Sequence, residues 1–307
     1  MSSICRASSQ AVAVAAWLIV GGVSVANAQV TISVQNNVGM QLSVAPQHAE
    51  PALRVVLPGR PVSDTSINIL FPEHVTAIEH GSTAATQLYI FRPGRVADPP
   101  VWRSTMNYVE YERELAPDLH LRARATLEDD GIRFRYEFIN RSPVAYAMIY
   151  AVTDPRLTGA FHDPRLERTY VHHTDGFDLL ASETPARLEM PIQEWLPARY
   201  LASFTWPVPT ELIVRRDGIM YYNKSRSVDE PFIATISMDR AWVVASFARE
   251  SGNVWSNPAL TCQHVDPQIS LGAGAMGAIE VKMLLLQGSL EDAFRLAREQ
   301  RPQLTQR

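Results

Sequence analysis

A short loop near the C-terminus contains residue types that can transfer protons, in the sequence CQHVDP at residues 262–267. In an extended chain, residues two positions apart point to the same side, so Cys262, His264 and Asp266 are expected to face one cavity. Histidine titrates close to neutral pH, and an imidazole beside a carboxylate can exchange protons with a substrate. We therefore predict that His264 and Asp266 are catalytic residues for acid/base chemistry.

Two other interpretations of this loop stay open. Asp266 could orient His264 by accepting a ring N–H instead of touching a substrate. The loop could also be purely structural, because Asp266-Pro267 is typical of a turn and a cysteine such as Cys262 is often a small buried hydrophobic residue. No sequence signature of a cysteine nucleophile surrounds Cys262, so we expect no nucleophilic role for it.

Histidines and acids recur in a second segment, FHDPRLERTYVHHTDGFDLL at residues 161–180. The adjacent His172 and His173 point to opposite faces of a strand, so at most one of them can face a given site. We predict that His173 contacts a sugar, and that solvated loops account for most of the others. A metal site needs three or four convergent ligands, and neither an H-x-H nor an H-E-x-x-H spacing occurs, so no metal or cofactor is predicted.

Two tryptophans lie among turn residues, where exposure is expected: Trp102 in PPVWRSTMNY and Trp255 in GNVWSNP. Sugars present C–H faces that stack on aromatic rings, and their hydroxyls hydrogen-bond to charged and polar side chains. We predict that Trp255, Trp102 and the adjacent Arg103 bind a carbohydrate ligand. The alternative is that both rings pack over the edge of a β-sandwich.

The elements that must position these residues are mostly strands. The segments LHLRARATL (119–127) and IRFRYEFI (132–139) alternate apolar and polar residues on either side of an Asp-Gly turn, which predicts a β-hairpin. Similar patterns predict hairpins at 211–225 and 232–248. One helix is predicted in SLEDAFRLAREQR (289–301), with Ser289 as its N-cap. The pattern indicates an all-β fold, a large antiparallel β-sandwich with one C-terminal helix.

The N-terminus has the organisation of a secretory signal peptide. Arg6 precedes an apolar stretch at 11–25, and Ala26-Asn27-Ala28 is typical of a cleavage site. We predict a signal peptide at 1–28, a single domain at 29–307, and a periplasmic or secreted protein. The apolar stretch is shorter than the ~20 residues that span a bilayer, so no stable membrane insertion is expected.

Charge and cysteine content exclude some classes of function. The formal net charge is −4 and no basic run occurs, which argues against nucleic-acid binding. Beyond the predicted cleavage site Cys262 is the only cysteine, so no intrachain disulfide can form. Stability must therefore come from a large hydrophobic core, which a chain of this length can bury.

The segment LEDDGIRFRYEFINRSPVAYAMIYAV (127–152) resembles the centre of the galactose mutarotase-like (aldose 1-epimerase-like) β-supersandwich. The similarity is an amphipathic strand, an Asp-Gly turn, a second strand ending in Asn-Arg-Ser, and then an apolar strand. The C-terminal order is also similar: a polar loop (253–268), the glycine turn LGAGA (271–275) and a closing strand (278–287). This resemblance implies a supersandwich fold and a carbohydrate ligand.

Family members that catalyse mutarotation use a histidine as general acid and a carboxylate as general base. Where the resemblance places the family's histidine, this chain has Tyr146, Tyr150 and Asp154 instead. Before the glycine turn, where the family has its glutamate, this chain has His264 and Asp266. We predict a divergent carbohydrate-active protein with epimerase-like or polysaccharide lyase-like chemistry. The alternatives are a non-catalytic carbohydrate-binding module and a structural or interaction protein of the cell envelope.

Overall fold

The computed structural model describes residues 32–45, 51–59, 66–88, 90, 100–116, 118–184 and 198–307. The predicted signal peptide lies outside these residues. Within them the strands are β1 (Ser33–Gln35), β2 (Gln41–Val44), β3 (Ala52–Val56), β4 (Ser66–Leu70), β5 (Val75–Glu79), β6 (Thr86–Leu88), β7 (Arg103–Ser104), β8 (Tyr108–Ala116), β9 (Leu119–Glu128), β10 (Gly131–Asn140), β11 (Tyr146–Ala151), β12 (Asp154–Leu157), β13 (Thr169–His173), β14 (Gly176–Leu179), β15 (Ala198–Ser203), β16 (Ile213–Arg216), β17 (Ile219–Asn223), β18 (Phe232–Ile236), β19 (Trp242–Ala248), β20 (Asn253–Ser256), β21 (Ile269–Leu271) and β22 (Met276–Gln287).

The described strands form four sheets. The largest has nine strands in the order β14-β13-β18-β19-β22-β10-β9-β8-β7, and a five-stranded sheet has the order β1-β2-β3-β4-β12. Two four-stranded sheets have the orders β21-β11-β5-β6 and β16-β17-β15-β20. Neighbouring described strands are antiparallel, apart from the parallel pair β15 and β17. The predicted all-β antiparallel sandwich is confirmed.

The main hydrophobic core draws on all four sheets. In the hairpin of β9 and β10, alternate side chains such as Leu121, Phe134 and Tyr136 are fully buried, whereas the arginines between them are only partly buried. This period of two assigns one face of the nine-stranded sheet to the core. The three predicted hairpins are all present, with β9–β10, β16–β17 and β18–β19 paired in antiparallel register.

Gly131 begins β10 and has a positive φ of +149°. A Cβ atom at this position would lie 2.0 Å from the carbonyl oxygen of Met283 in β22. The sequence predicted a glycine that serves the turn, but the turn residues are Asp129 and Asp130. Glycine is needed at 131 because another backbone approaches closely there.

One α-helix occurs among the described residues, α1 (Leu290–Gln300), as predicted. The Ser289 side chain accepts a hydrogen bond from the backbone of Asp292, and the Asp292 side chain accepts one from the backbone of Ser289, so the N-terminus carries a capping box. The helix packs on a second apolar cluster that includes Phe232, Val243 and Leu284, on the opposite face of the nine-stranded sheet from the main core. No described helix is long and apolar enough to cross a bilayer.

Candidate functional site

The loop that contains the predicted catalytic residues joins β20 to β21 and lies where the three smaller sheets meet. One isolated β-bridge pairs Cys262 with Arg156 of β12, and another pairs His264 with Trp255 of β20. β21, which follows, pairs with β11. The loop therefore contacts one strand from each of the three smaller sheets.

The side chains of this loop alternate in direction as the sequence predicted. Gln263 points towards β19, where its amide donates to the Val244 carbonyl and its oxygen accepts from Ser246 Oγ. Cys262 and His264 point the other way, and one ligand atom of each lies within 4.8 Å of an oxygen of Asp154. These three residues could therefore hold a metal ion, and the sequence did not predict their convergence.

His264 is enclosed by its neighbours, with its side chain only 1% exposed. Its ring stacks on the Trp255 indole with 3.6 Å between centroids and an angle of 3° between planes. Nε2 lies 3.4 Å from Asp154 Oδ1, and Nδ1 lies 3.7 Å from Asp266 Oδ1. A substrate therefore cannot touch this imidazole while Trp255 covers it.

The charges around His264 favour its protonated form. Burial disfavours a charged ring, but the Cys262 sulfur and the carboxylates of Asp154 and Asp266 outweigh burial and raise the pKa of His264 well above its usual value. For Asp154, burial raises the pKa, but His264 and Arg156 outweigh it and leave the pKa below its usual value. The pair is therefore a buried imidazolium beside a buried carboxylate.

Asp266 is the more accessible of the two predicted catalytic residues, with 16% of its side chain exposed. Its Oδ2 accepts a hydrogen bond of 3.0 Å from Trp255 Nε1. The 3.7 Å separation from His264 Nδ1 exceeds hydrogen-bond distance, so any orienting effect of Asp266 on the imidazole is electrostatic in this arrangement.

Two further candidates, Glu73 and His74, lie in the turn between β4 and β5. Glu73 Oε1 is 3.8 Å from Arg156 Nη2, and Glu73 Oε2 is 3.8 Å from His74 Nδ1. Burial and the nearby Asp154 carboxylate raise the pKa of Glu73, whereas burial lowers the pKa of His74 although Asp266 opposes it. These two shifts bring the proton affinities of the carboxyl and the imidazole closer together, so both groups can exchange protons over a similar pH range.

Tyr150 and Arg199 complete the accessible part of this cluster. Burial raises the pKa of Tyr150, and the Asp266 carboxylate adds to that, so the phenol keeps its proton and can donate a hydrogen bond. The Arg199 guanidinium lies 5.2 Å from the Trp255 ring centroid. Both side chains are partly buried, as is Trp255. The cluster thus combines a carboxylic acid, an imidazole, a phenol, an indole and guanidinium groups.

Two predicted sugar contacts lie at the edge of the nine-stranded sheet. Trp102 packs edge-on against Tyr111 of β8, with ring centroids 4.8 Å apart. Arg103 belongs to β7 and its exposed guanidinium is 3.8 Å from Glu112 of β8. Among the described residues neither makes a hydrogen bond or ring contact with His264 or Asp266, so the structure does not join them to the cluster. Their role in sugar binding stays a prediction.

His173 lies below the surface, since it is 1% exposed. Its Nδ1 is 2.8 Å from the Ser227 carbonyl oxygen, and burial lowers its pKa. Its neighbour His172 faces the other way, is 2.8 Å from Asp229 and stacks on Phe294 of α1. The two histidines therefore lie on opposite faces of β13, and each contacts other residues of the protein. A sugar contact for His173 stays a prediction.

The structure adds residues that were not predicted as site residues: Glu73, His74, Arg156 and Arg199, together with Tyr150 and Asp154, which lie where the resemblance places the family's histidine. The signal for the first two is an adjacent acid and base directly after a proline, in the short turn between β4 and β5. Asp154 and Arg156 reach the site because β12 pairs with β4 and bridges to the loop. That pairing leaves no local pattern in the sequence.

Comparison with known proteins finds no matching family model and no matching curated protein. Galactose mutarotase-like proteins are among the solved structures that resemble this chain, as the sequence resemblance predicted. The Slr1438 protein from Synechocystis sp. PCC 6803 has 11% identity and a TM-score of 0.49, over 84% of this chain and 96% of that chain. A galactose mutarotase-like protein from Lactobacillus casei has 13% identity and a TM-score of 0.45, over 83% of this chain and 100% of that chain. One from Clostridium acetobutylicum has 8% identity and a TM-score of 0.42, over 82% of this chain and 94% of that chain.

Proposed function

We propose that this chain is an exported carbohydrate-active protein that moves protons on a sugar at the junction of the three smaller sheets. The observation that carries this proposal is the adjacent pair Glu73 and His74, whose pKa values are shifted in opposite directions beside the partly exposed Asp266. Groups with matched proton affinities transfer protons efficiently near neutral pH. Trp255 and Arg199 supply the apolar and hydrogen-bonding surfaces that a sugar needs.

The accessible groups have distinct roles in this proposal. Glu73, with its raised pKa, donates a proton to a sugar oxygen, and the neutral imidazole of His74 or the Asp266 carboxylate accepts one from a sugar hydroxyl. For an aldose, protonation of the ring oxygen and deprotonation of the anomeric hydroxyl break the ring C–O bond and form the open-chain aldehyde. Reclosure on the other face of the carbonyl reverses both transfers and gives the other anomer.

His264 acts in this proposal as a positioning residue. It is buried and covered by Trp255, so it cannot touch the substrate. Its positive charge lies beside Asp154 and favours the ionised form of that carboxylate. The acid/base role predicted for His264 is therefore assigned in this proposal to the accessible residues Glu73, His74 and Asp266.

Polarimetry of freshly dissolved α-D-glucose and α-D-galactose tests this activity. We expect the purified protein to accelerate the relaxation of optical rotation, and Glu73→Gln to lower the rate constant by about 10²–10⁴. Whichever of His74→Gln and Asp266→Asn removes the accepting group should cause a loss of similar size. Glu291→Gln is the matched control, because Glu291 is exposed at the start of α1. A lyase-like activity would instead appear as ultraviolet absorbance from an unsaturated product of a uronic polysaccharide. Absence of both activities would contradict the enzymatic proposal.

The burial of His264 favours a second function, a non-catalytic carbohydrate-binding module. Titration calorimetry with oligosaccharides separates the two functions. A binding module keeps its affinity in Glu73→Gln, loses it in Trp255→Ala and turns over no sugar. An enzyme loses turnover in Glu73→Gln while it still binds.

Export is part of the proposal and has a separate test. We expect the mature chain to begin at Gln29, since cleavage is predicted after Ala28. Mass spectrometry of the chain recovered from the periplasm or medium measures the N-terminus. Recovery of an uncleaved chain from the cytoplasm would contradict it.

A further inference from the structure

We propose that Asp154, Cys262 and His264 form a binding site for Zn²⁺. One ligand atom from each residue lies within 4.8 Å of the others, and all three side chains are buried. Carboxylate oxygen, thiolate sulfur and imidazole nitrogen are the three donor types that protein zinc sites use. This proposal does not depend on the proposed sugar chemistry, because the ion can stabilise the junction without any turnover. With the ion bound, His264 is a neutral ligand and Zn²⁺ replaces its proton as the positive charge beside Asp154, so the imidazolium belongs to the metal-free protein.

The carboxylate of Asp154 has one oxygen that accepts no hydrogen bond from the described part of the chain, the oxygen that faces His264. Its Oδ2 accepts a hydrogen bond of 2.7 Å from Arg156 Nε. Its Oδ1 has no hydrogen-bond partner among the described residues, and it cannot be hydrated instead because the side chain is only 2% exposed. A buried carboxylate oxygen that accepts no hydrogen bond is costly, and a bond to a metal ion would remove that cost.

The oxygen and nitrogen donors have the spacing of two ligands on a tetrahedral ion. His264 Nε2 lies 3.4 Å from Asp154 Oδ1. Two ligands at about 2.0–2.1 Å from a tetrahedral zinc are about 3.4 Å from each other. The same separation is long for a hydrogen bond, so the arrangement fits ligands around a shared ion better than a direct bond.

Asp266 and Arg156 lie behind two of the three donors, in the positions where zinc sites have outer partners. A histidine ligand commonly directs its other ring nitrogen at a carboxylate, and a carboxylate ligand is itself hydrogen-bonded. His264 Nδ1 lies 3.7 Å from Asp266 Oδ1, and Arg156 holds Asp154. With three protein ligands, a fourth position is available to water or to another donor. A thiolate and an imidazole together favour zinc over magnesium or calcium.

Metal analysis and cobalt substitution of the mature chain, residues 29–307, test the site. We expect elemental analysis to find stoichiometric zinc in the protein purified without chelator. After removal of metal with EDTA, Co²⁺ added to the wild type is expected to give the intense visible bands of a tetrahedral site and a near-ultraviolet thiolate-to-cobalt band. Excess Zn²⁺ should remove both.

Cysteine variants assign the sulfur ligand. Cys5 lies in the predicted signal peptide, so Cys262 is the only cysteine of the mature chain and the only residue there that can give a thiolate band. Cys262→Ser should lose the band. If Cys262→Ser fails to fold, the band of the wild-type mature chain still assigns the ligand to Cys262. Asp266→Asn should weaken the apparent Zn²⁺ affinity by about 10–100-fold, as the loss of an outer partner does. No thiolate band in the wild type, or its survival in folded Cys262→Ser, would overturn the proposal.

Discussion

At the scale of single residues, His264 is constrained on several sides. Trp255 covers its ring, and Asp154 and Asp266 lie near its two nitrogens. A buried charge is tolerated only when such partners compensate for lost hydration. The same contacts that make the imidazole positive keep it away from a substrate, so its effect on chemistry must pass through the two carboxylates.

Removing one partner of this pair should destabilise the protein. We expect Asp154→Asn to lower the free energy of unfolding by about 3 kcal/mol near pH 6, because a buried imidazolium then has no adjacent countercharge at Nε2. The raised pKa of His264 means that its stabilising effect is complete below the unfolded-state value of about 6.5 and is lost as the pH rises through the folded value. The deficit of the variant should therefore shrink above about pH 6.5.

Urea unfolding of wild type and Asp154→Asn across this pH range measures the deficit. EDTA in the buffer keeps metal binding out of the comparison. A deficit that stays constant with pH would show that Asp154 does not act through the charge of His264.

At the scale of elements, two glycines each begin the second strand of a different hairpin. Comparing them distinguishes the cost of a steric clash from the cost of backbone strain. Gly131 and Gly176 both have positive φ, at +149° and +124°. A Cβ at 131 would meet the Met283 carbonyl at 2.0 Å, whereas nothing lies within 4 Å of one at 176. Gly176→Ala is expected to cost about 1 kcal/mol from strain alone. Gly131→Ala should cost at least about 2 kcal/mol more, because β22 must also shift.

Thermal and urea unfolding of the two variants test this difference. Equal losses of stability would mean that the contact between β10 and β22 relaxes freely. Loss in Gly176→Ala alone would mean that the close approach at Gly131 is absent in solution.

The elements also show how far the sequence predicts this protein. The hairpins at 119–139, 211–225 and 232–248 and the helix at 289–301 follow from local patterns of two and 3.6 residues. The shared direction of Cys262 and His264 follows from the same local rule. Asp154, Glu73 and His74 reach the loop only through the pairing of β12 with β4 and the bridges across sheets. Spacing motifs therefore predicted no metal site, because the donors come from distant parts of the chain.

At the scale of the whole molecule, the outer face of the nine-stranded sheet carries a network of charged side chains. Glu110 of β8 accepts hydrogen bonds from Arg122 and Arg124 of β9. Lys282 of β22, fully buried, pairs with Glu128 and Asp130 at the hairpin turn. The arginine pattern of the strands at 122–135 is therefore balanced by acids from neighbouring strands, and these ion pairs link β8, β9, β10 and β22.

This network gives the folded protein a defined response to acid. Burial alone would raise the pKa of Glu110, Glu128 and Asp130, but their cationic partners outweigh it and lower all three pKa values. A carboxyl whose pKa is lower in the folded state stabilises the protein above its unfolded-state pKa of about 4, and that stabilisation is lost as the pH falls through the folded value. Glu73 has a raised pKa, so its carboxyl instead destabilises the folded protein at neutral pH, and this effect is lost in acid.

We therefore expect the free energy of unfolding to decrease as the pH is lowered below about 5, since more carboxyls have lowered than raised pKa values. Glu110→Gln should cost about 1–3 kcal/mol near pH 7, because two arginines lose a shared carboxylate. That cost should fall towards zero in acid, where the wild-type carboxylate is itself protonated. Urea unfolding of wild type, Glu110→Gln and the exposed control Glu211→Gln over this range measures it. A Glu110→Gln deficit of equal size at both ends of the range would mean that shape complementarity, and not charge, holds β8 against β9.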